Sequence, residues 1–307
     1  MSGRDDGGGA SERFTVRLRD PRPLLLDAAM GTELERCGVA TRLPLWSAAA
    51  LQDAPQIVAQ IHADHVAAGA EIVTTNTFRT QRRTLARAGL GERTAAFVRL
   101  AVSLARSARP AFVAGSIAPL EDCYAPELVP SDAECVREHR EQAELLAKFG
   151  VDLLLVETMN TIREAVAAAR AAVATGLPTI VSFVCRTDGR LFSGERVSDA
   201  ARALLDDPKC RGSREGGLTA LGINCTPAVT LHEPLAELSL AVAGKLPLAA
   251  YANIGCCNDI DGWTRTDEVA PKRYATLASR WIELGARIVG GCCGTDRDHL
   301  AELIRWS

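Results

Sequence analysis

Aromatic residues make up only 5% of this 307-residue chain, so alanine, leucine and valine must fill most of its core. Neither sign of charge dominates: 35 Lys and Arg face 38 Asp and Glu, for a net charge of -3. The arginines form no basic stripe and no aromatics interleave with them, which excludes an electrostatic footprint for nucleic acid. No uninterrupted apolar run approaches the ~20 residues of a membrane span. Residues 1–13 lack an apolar stretch of the kind a secretory signal needs. They are rich in glycine and charge and are expected to form a disordered tail ahead of one domain over 14–307. Without a secretory signal, ten cysteines argue for free thiols and metal ligands rather than a disulfide framework. The expectation is a soluble, cytoplasmic protein whose partners are small molecules, not nucleic acid or membrane. The oligomeric state stays open.

Short apolar runs alternate with alanine-rich amphipathic stretches along the chain. The runs are Leu24–Leu26, Glu71–Thr75, Ala111–Gly115, Asp152–Val156, Thr179–Val184, Ala220–Ile223, Leu246–Ala250 and Ala286–Val289. Each reads as a strand buried on both faces, as parallel strands are. Helical patterns follow them near 55–68, 80–107, 131–149, 161–174, 197–206, 229–243, 271–284 and 296–305. Ser131 and Glu134 fit a capping box, and Gly69, Gly150, Gly176 and Gly285 fit helix C-caps. Eight strand–helix units without a linker predict a single (β/α)8 barrel (TIM barrel) rather than an open doubly wound sheet. In such a barrel the chemistry sits where strands end. The residues after the runs are Asp27, Asn76, Ser116, Glu157, Cys185, Cys225, Asn253 and the pair Cys292-Cys293, so one polar rim is expected.

Cys225 follows the sixth run, and Cys292 and Cys293 follow the eighth. Two strand ends on one rim can bring three thiolates together as a Zn²⁺ site with its fourth position open. Gly290, Gly291 and Gly294 around the vicinal pair are expected to let the backbone bend. Three thiolates leave such a centre at about -1, which keeps a further bound sulfur nucleophilic while holding it deprotonated. That suits alkylation of a thiol better than hydrolysis, for which histidine or carboxylate ligands are commoner. The competing reading is that these cysteines are small buried hydrophobes. A second vicinal pair, Cys256-Cys257, can instead supply a fourth ligand and close the site. Cys37, Cys123, Cys135, Cys185 and Cys210 read as packing or surface thiols.

Several segments together resemble the homocysteine S-methyltransferase family: Leu25-Leu-Asp-Ala-Ala-Met-Gly-Thr-Glu-Leu34, Leu45-Trp-Ser47, Ala68-Gly-Ala70, Thr75-Asn-Thr-Phe78, Gly115-Ser116, Val156-Glu-Thr158, Gly222-Ile-Asn-Cys225 and Gly290-Gly-Cys-Cys-Gly-Thr295. The resemblance spans about 20–305. It implies a zinc-dependent barrel enzyme that moves a methyl group from a sulfonium, betaine or folate-derived donor to homocysteine, giving methionine. It also implies that Cys225, Cys292 and Cys293 are the zinc ligands and act in catalysis. Glu157 would hold the substrate amino group, Asp27 would be a second pocket carboxylate, and Trp46, Ser47, Asn76 and Thr77 would lie in pocket-forming loops. Ala28 stands where the family commonly has glycine. Leu45-Trp-Ser47 looks like members that use S-methylmethionine or S-adenosylmethionine, and the scarcity of aromatics disfavours a cage for betaine. The alternatives are a homocysteine-binding module served by a separate corrinoid methyl carrier, or methylation of a different thiol or selenol.

Overall fold

A computed structural model describes residues 7–211, 216–258, 262–265 and 269–306. Eight strands form one parallel sheet: β1 (Leu24–Leu25), β2 (Ile72–Thr74), β3 (Phe112–Ile117), β4 (Leu153–Met159), β5 (Pro178–Phe183), β6 (Gly217–Pro227), β7 (Leu248–Asn253) and, after a hairpin, β10 (Ala286–Gly291). Each pairs with its sequence neighbour in this series, and β10 returns to β1. The ring closes between the first two strands, where Leu26 bridges Ile72 and the Asp27 amide donates to the Ile72 carbonyl at 3.0 Å. The hairpin, β8 (Gly255–Asn258) with β9 (Gly262–Arg265), lies in the connection after β7. The expected closed barrel is the observed one.

Helices alternate with the strands. Before β1 comes α1 (Gly7–Leu18), and before β2 come α2 (Gly31–Arg36), α3 (Ala50–Asp53) and α4 (Pro55–Ala67). The stretch expected as one helix over 80–107 is two, α5 (Arg82–Arg87) and α6 (Thr94–Ser107). The break lies at Gly89, whose φ of 72° no continuing helix accommodates. Further on are α7 (Asp132–Lys148), α8 (Ile162–Val173), α9 (Val197–Leu205), α10 (His232–Val242), α11 (Pro271–Glu283) and α12 (Arg297–Leu303). The capping box at Ser131 and Glu134 is present. The C-cap glycines 69, 150, 176 and 285 have φ between 81° and 104°.

Strand alternation sorts the apolar residues into two shells. Leu24, Leu26, Ile72, Phe112, Ala114, Leu153, Leu155, Ile180, Ala220, Ala249, Tyr251 and Ile288 form one buried cluster drawn from all eight strands, which is the barrel interior. Their strand neighbours, such as Leu25, Val73, Val113, Leu154, Val181 and Leu221, belong to a second cluster shared with the helices.

The tail expected over 1–13 is helical from residue 7, within α1. Phe14 (0% exposed) and Leu18 join the interior cluster, and Phe14 meets Phe112 edge to face with centroids 5.3 Å apart. With Ser11 also buried, positions 11, 14 and 18 form one helix face closing the N-terminal end of the barrel. Arg17 fastens the helix through an ion pair with Glu71 at 2.6 Å. Burial of that face outweighs the poor helix propensity of the glycines.

Candidate metal centre and acceptor pocket

Toward the C-terminal end of the barrel, the inward phase of the strands changes from apolar to polar. Two residues beyond Ile72, Ala114, Leu155, Ile180 and Tyr251 come Thr74, Ser116, Glu157, Ser182 and Asn253. Four beyond Ala220 and Ile288 come Asn224 and Cys292. Apart from half-buried Thr74 and Cys292, these residues are buried, so the strand alternation that builds the core also builds a polar floor above it.

The sulfurs of Cys225, Cys292 and Cys293 gather within 4.8 Å of one another, with Cys225 and Cys293 at 3.6 Å. Sulfurs sharing a tetrahedral zinc at ~2.3 Å lie roughly 3.8 Å apart, so the spacing fits a thiolate-bound ion. Cys225 reaches this position with φ 47°, inside a bulge of β6. Asn253 holds the turn by donating to the Cys225 carbonyl at 2.6 Å. Only Gly294 of the three neighbouring glycines has a positive φ (85°). Gly290 and Gly291 are required by crowding instead: a β-carbon would meet Leu26 at 2.7 Å or Thr295 at 2.1 Å. The thiols of Cys292 and Cys293 and the Tyr124 hydroxyl pull the Cys225 thiol well below its usual range. Its charge and sulfur contacts push Cys292 and Cys293 up. Among the three, the thiolate form is therefore favoured at Cys225 and opposed at Cys292 and Cys293, an imbalance that a shared metal cation would relieve.

Two carboxyls lie on the same floor. Asp27 accepts from the Thr74 amide at 2.7 Å and the Thr74 hydroxyl at 2.8 Å, and Glu157 accepts from Ser116 at 2.5 Å. Burial pushes Glu157 up to about 8, helped by the charges of Asp27 and Cys225 against the opposing Ser116 bond. Burial likewise pushes Asp27 up to about 7. Among the described residues neither carboxyl has an ion-pair partner, and an ammonium group would supply the positive charge that favours their ionised forms.

The chain matches the family model described as homocysteine S-methyltransferase over residues 24–306. The chain belongs to this family. It is 32% identical to the homocysteine S-methyltransferase of Escherichia coli (strain K12) over 305 residues, covering 91% of this chain and 94% of the relative. It is 31% identical to homocysteine S-methyltransferase YbgG of Bacillus subtilis (strain 168), covering 94% and 96%. The metallated form of the homocysteine methyltransferase MmuM from Escherichia coli superposes with a TM-score of 0.80 at 30% identity, covering 95% of this chain and all of that one. The protein is therefore an enzyme, a methyltransferase, built as a (β/α)8 barrel with a cysteine cluster able to hold a metal.

The remaining expected residues serve the rim differently. Asn76 donates to the Ser47 carbonyl at 2.9 Å and Thr77 to the Ser116 carbonyl at 2.8 Å, so both tie rim loops together. Trp46 (φ 47°) lies over Gly31, where a β-carbon would come within 2.3 Å of the indole, and meets Phe78 edge to face at 5.7 Å. Ala28 belongs to the outer apolar shell. Cys185 is buried in that shell, apart from the thiol triad. The side chains of Cys256 and Cys257 lie outside the described residues, and so does their expected role in closing the site.

Sequence reasoning missed Tyr124. It sits on the connection from β3 to α7, its hydroxyl 3.6 Å from the Cys225 sulfur and its ring 5.2 Å from that of Phe192. No strand phase marks a residue so far beyond a strand end. It also missed Ser182, Asn224 and Tyr251, which the inward alternation does mark.

Proposed function

We propose that this methyltransferase is zinc-dependent and transfers a methyl group from an onium donor to homocysteine, giving methionine. S-Methylmethionine and S-adenosylmethionine are the favoured donors. The observation that carries the reading is the grouping of three thiols with two buried carboxyls on one barrel floor. Cys225, Cys292 and Cys293 would hold the zinc; when bound, it keeps the acceptor's sulfur deprotonated at neutral pH yet nucleophilic.

The chain's own residues bind and orient. Glu157 receives the acceptor's ammonium group, giving up its proton as it does so, and Ser116 aims its carboxylate. Asp27, fixed by Thr74, offers a second carboxyl on the same floor. Asn76 and Thr77 act through the loops they hold, and Trp46 with Ser47 borders the donor side. A cationic donor meeting an anionic sulfur loses charge in the transition state, so exclusion of water from the site would favour transfer. No general base is needed once the acceptor's proton has been displaced.

Two aromatic pairs stand near the rim, Trp46 with Phe78 and Tyr124 with Phe192. Their rings suit an onium donor, so overall aromatic scarcity is a weaker argument against betaine than composition implies. The preference for a sulfonium rests on Leu45-Trp-Ser47. One observation favours a second reading, delivery of the methyl by a separate corrinoid protein. Leu43, Leu128 and Val229, after β1, β3 and β6, are 71%, 53% and 49% exposed. Incubating the zinc-loaded enzyme with homocysteine and each of S-methylmethionine, S-adenosylmethionine and betaine separates the readings. Methionine from a sulfonium supports the first, and zinc-loaded protein inert with all three small donors contradicts it.

A further inference from the structure

Two strands bulge at the level of the polar floor. β4 spends three steps from Val156 to Met159 where β5 spends two, and β6 spends three from Asn224 to Pro227 where β7 spends two. Each bulge contains a residue with a β-carbon in the left-handed region, Thr158 (φ 61°) and Cys225 (φ 47°). Such conformations persist only where the surroundings over-determine them, and bulges re-aim the side chains beside them. Here the side chains concerned are Glu157 and the sulfur of Cys225.

One side chain links the bulges. The Asn224 carboxamide accepts from the Thr158 amide at 2.8 Å and donates to the Thr158 hydroxyl at 2.8 Å. It also accepts from Ser182 at 2.8 Å, and Ser182 in turn bonds the Tyr251 hydroxyl. Thr158, Ser182, Asn224 and Tyr251 come from β4, β5, β6 and β7, and none is more than 2% exposed. Asn224 therefore reaches across β5 to grip the backbone next to Glu157, while its own chain neighbour is Cys225. Water has no access to replace these bonds.

We propose that Asn224 is a positioning residue that fixes the span from Glu157 to the Cys225 sulfur and so selects the chain length of the thiol acceptor, homocysteine over cysteine. The inference rests on the reading that the acceptor is held by Glu157 at its amino end and by the metal at its sulfur. The two amino acids carry the same functional groups and differ by one methylene, about one C–C bond of ~1.5 Å. A carboxylate and a metal on independent loops would adjust to either. Two bulges clamped through a buried carboxamide do not, so the shorter thiol cannot satisfy both ends at once.

The test uses the zinc-loaded full chain as wild type, Asn224→Ala, Thr158→Ala and Thr158→Ser. Calorimetric affinity for homocysteine and for cysteine is measured without donor, alongside zinc content and kcat/KM for each thiol. The wild type is expected to prefer homocysteine by ~10–200-fold, the range one methylene commands. Asn224→Ala and Thr158→Ala are expected to shrink that preference about tenfold in both affinity and kcat/KM, with zinc still at one per chain. Thr158→Ser, which keeps the hydroxyl that Asn224 grips, is expected to retain it. If Asn224→Ala does not fold, the two Thr158 variants decide alone. Equal weakening of both thiols in Thr158→Ala, or zinc loss with an unchanged preference, overturns the positioning role and leaves the proposed reaction standing. A zinc-loaded wild type that binds neither thiol overturns the reaction and this inference with it.

Discussion

Under the proposed reading, Glu157 trades stability for binding. Its carboxyl titrates at about 8 in the folded protein against an ordinary value of 4.5. Between those values the unfolded chain releases a proton that the folded chain retains, so folding is penalised increasingly as pH rises from ~4.5 to ~8, at ~1.4 kcal/mol per unit. Glu157→Gln removes that penalty. Its stability advantage over the acceptor-free wild type should grow by roughly 2–3 kcal/mol between about pH 6 and about pH 9, read from urea midpoints. The same variant should raise the KM for homocysteine about tenfold or more, because a charged hydrogen bond worth ~1.5–3 kcal/mol is lost. An advantage that does not grow with pH would mean that the carboxyl is already ionised. At the metal centre, Cys225→Ser should lose zinc and turnover together, measured by metal analysis and methionine formation. The shared placement of Glu157, Asp27 and the three cysteines was legible in the sequence because each lies close to the C-terminal end of a strand. Tyr124 was not, because a long connection carries it back over Cys225, and no local pattern records that return.

At the scale of elements, α1 and α4 show what local pattern hides. Glycines disguise α1, and its reason for being helical is the floor it closes beneath Phe112. Phe14→Ala should therefore cost ~3–5 kcal/mol, as emptying a full aromatic site does, measured by urea unfolding. An effect below about 1 kcal/mol would show that the helix does not plug the barrel. On α4, His62 and His65 are buried, and neither ring nitrogen of either has a hydrogen-bond partner among the described residues. Burial lowers His62 from 6.5 to about 3 and His65 to about 4. Both remain neutral in the fold while the unfolded chain takes up protons, so stability is full above pH 6.5 and declines as pH falls toward 4. His62→Leu should flatten that decline in urea midpoints taken across the same interval. The period of α4 is evident in sequence, but which face is buried depends on the helices around it. Likewise the break between α5 and α6 follows from one glycine that an amphipathic count passes over.

For the whole molecule, the barrel was legible because the strands are largely buried on both faces and several αβ returns are marked by a glycine, as at Gly69, Gly150, Gly176 and Gly285. The thiol cluster was legible because a barrel sends its strand ends to one rim, which places residues 225 and 292–293 together despite their separation in sequence. The cross-strand ties were less so: that Asn224 spans β5 to hold Thr158 depends on two bulges, and register shifts leave no trace in hydrophobic alternation. The central claim is that three protein thiolates hold one zinc and leave its fourth position to the acceptor's sulfur. The most direct measurement is the number of sulfur ligands at the zinc, by X-ray absorption, before and after adding homocysteine to the reduced, zinc-loaded protein. The account predicts three before and four after. Four sulfurs before homocysteine would mean that another protein thiol, such as Cys256 or Cys257, closes the site; that result, or a count that homocysteine leaves unchanged, would contradict it.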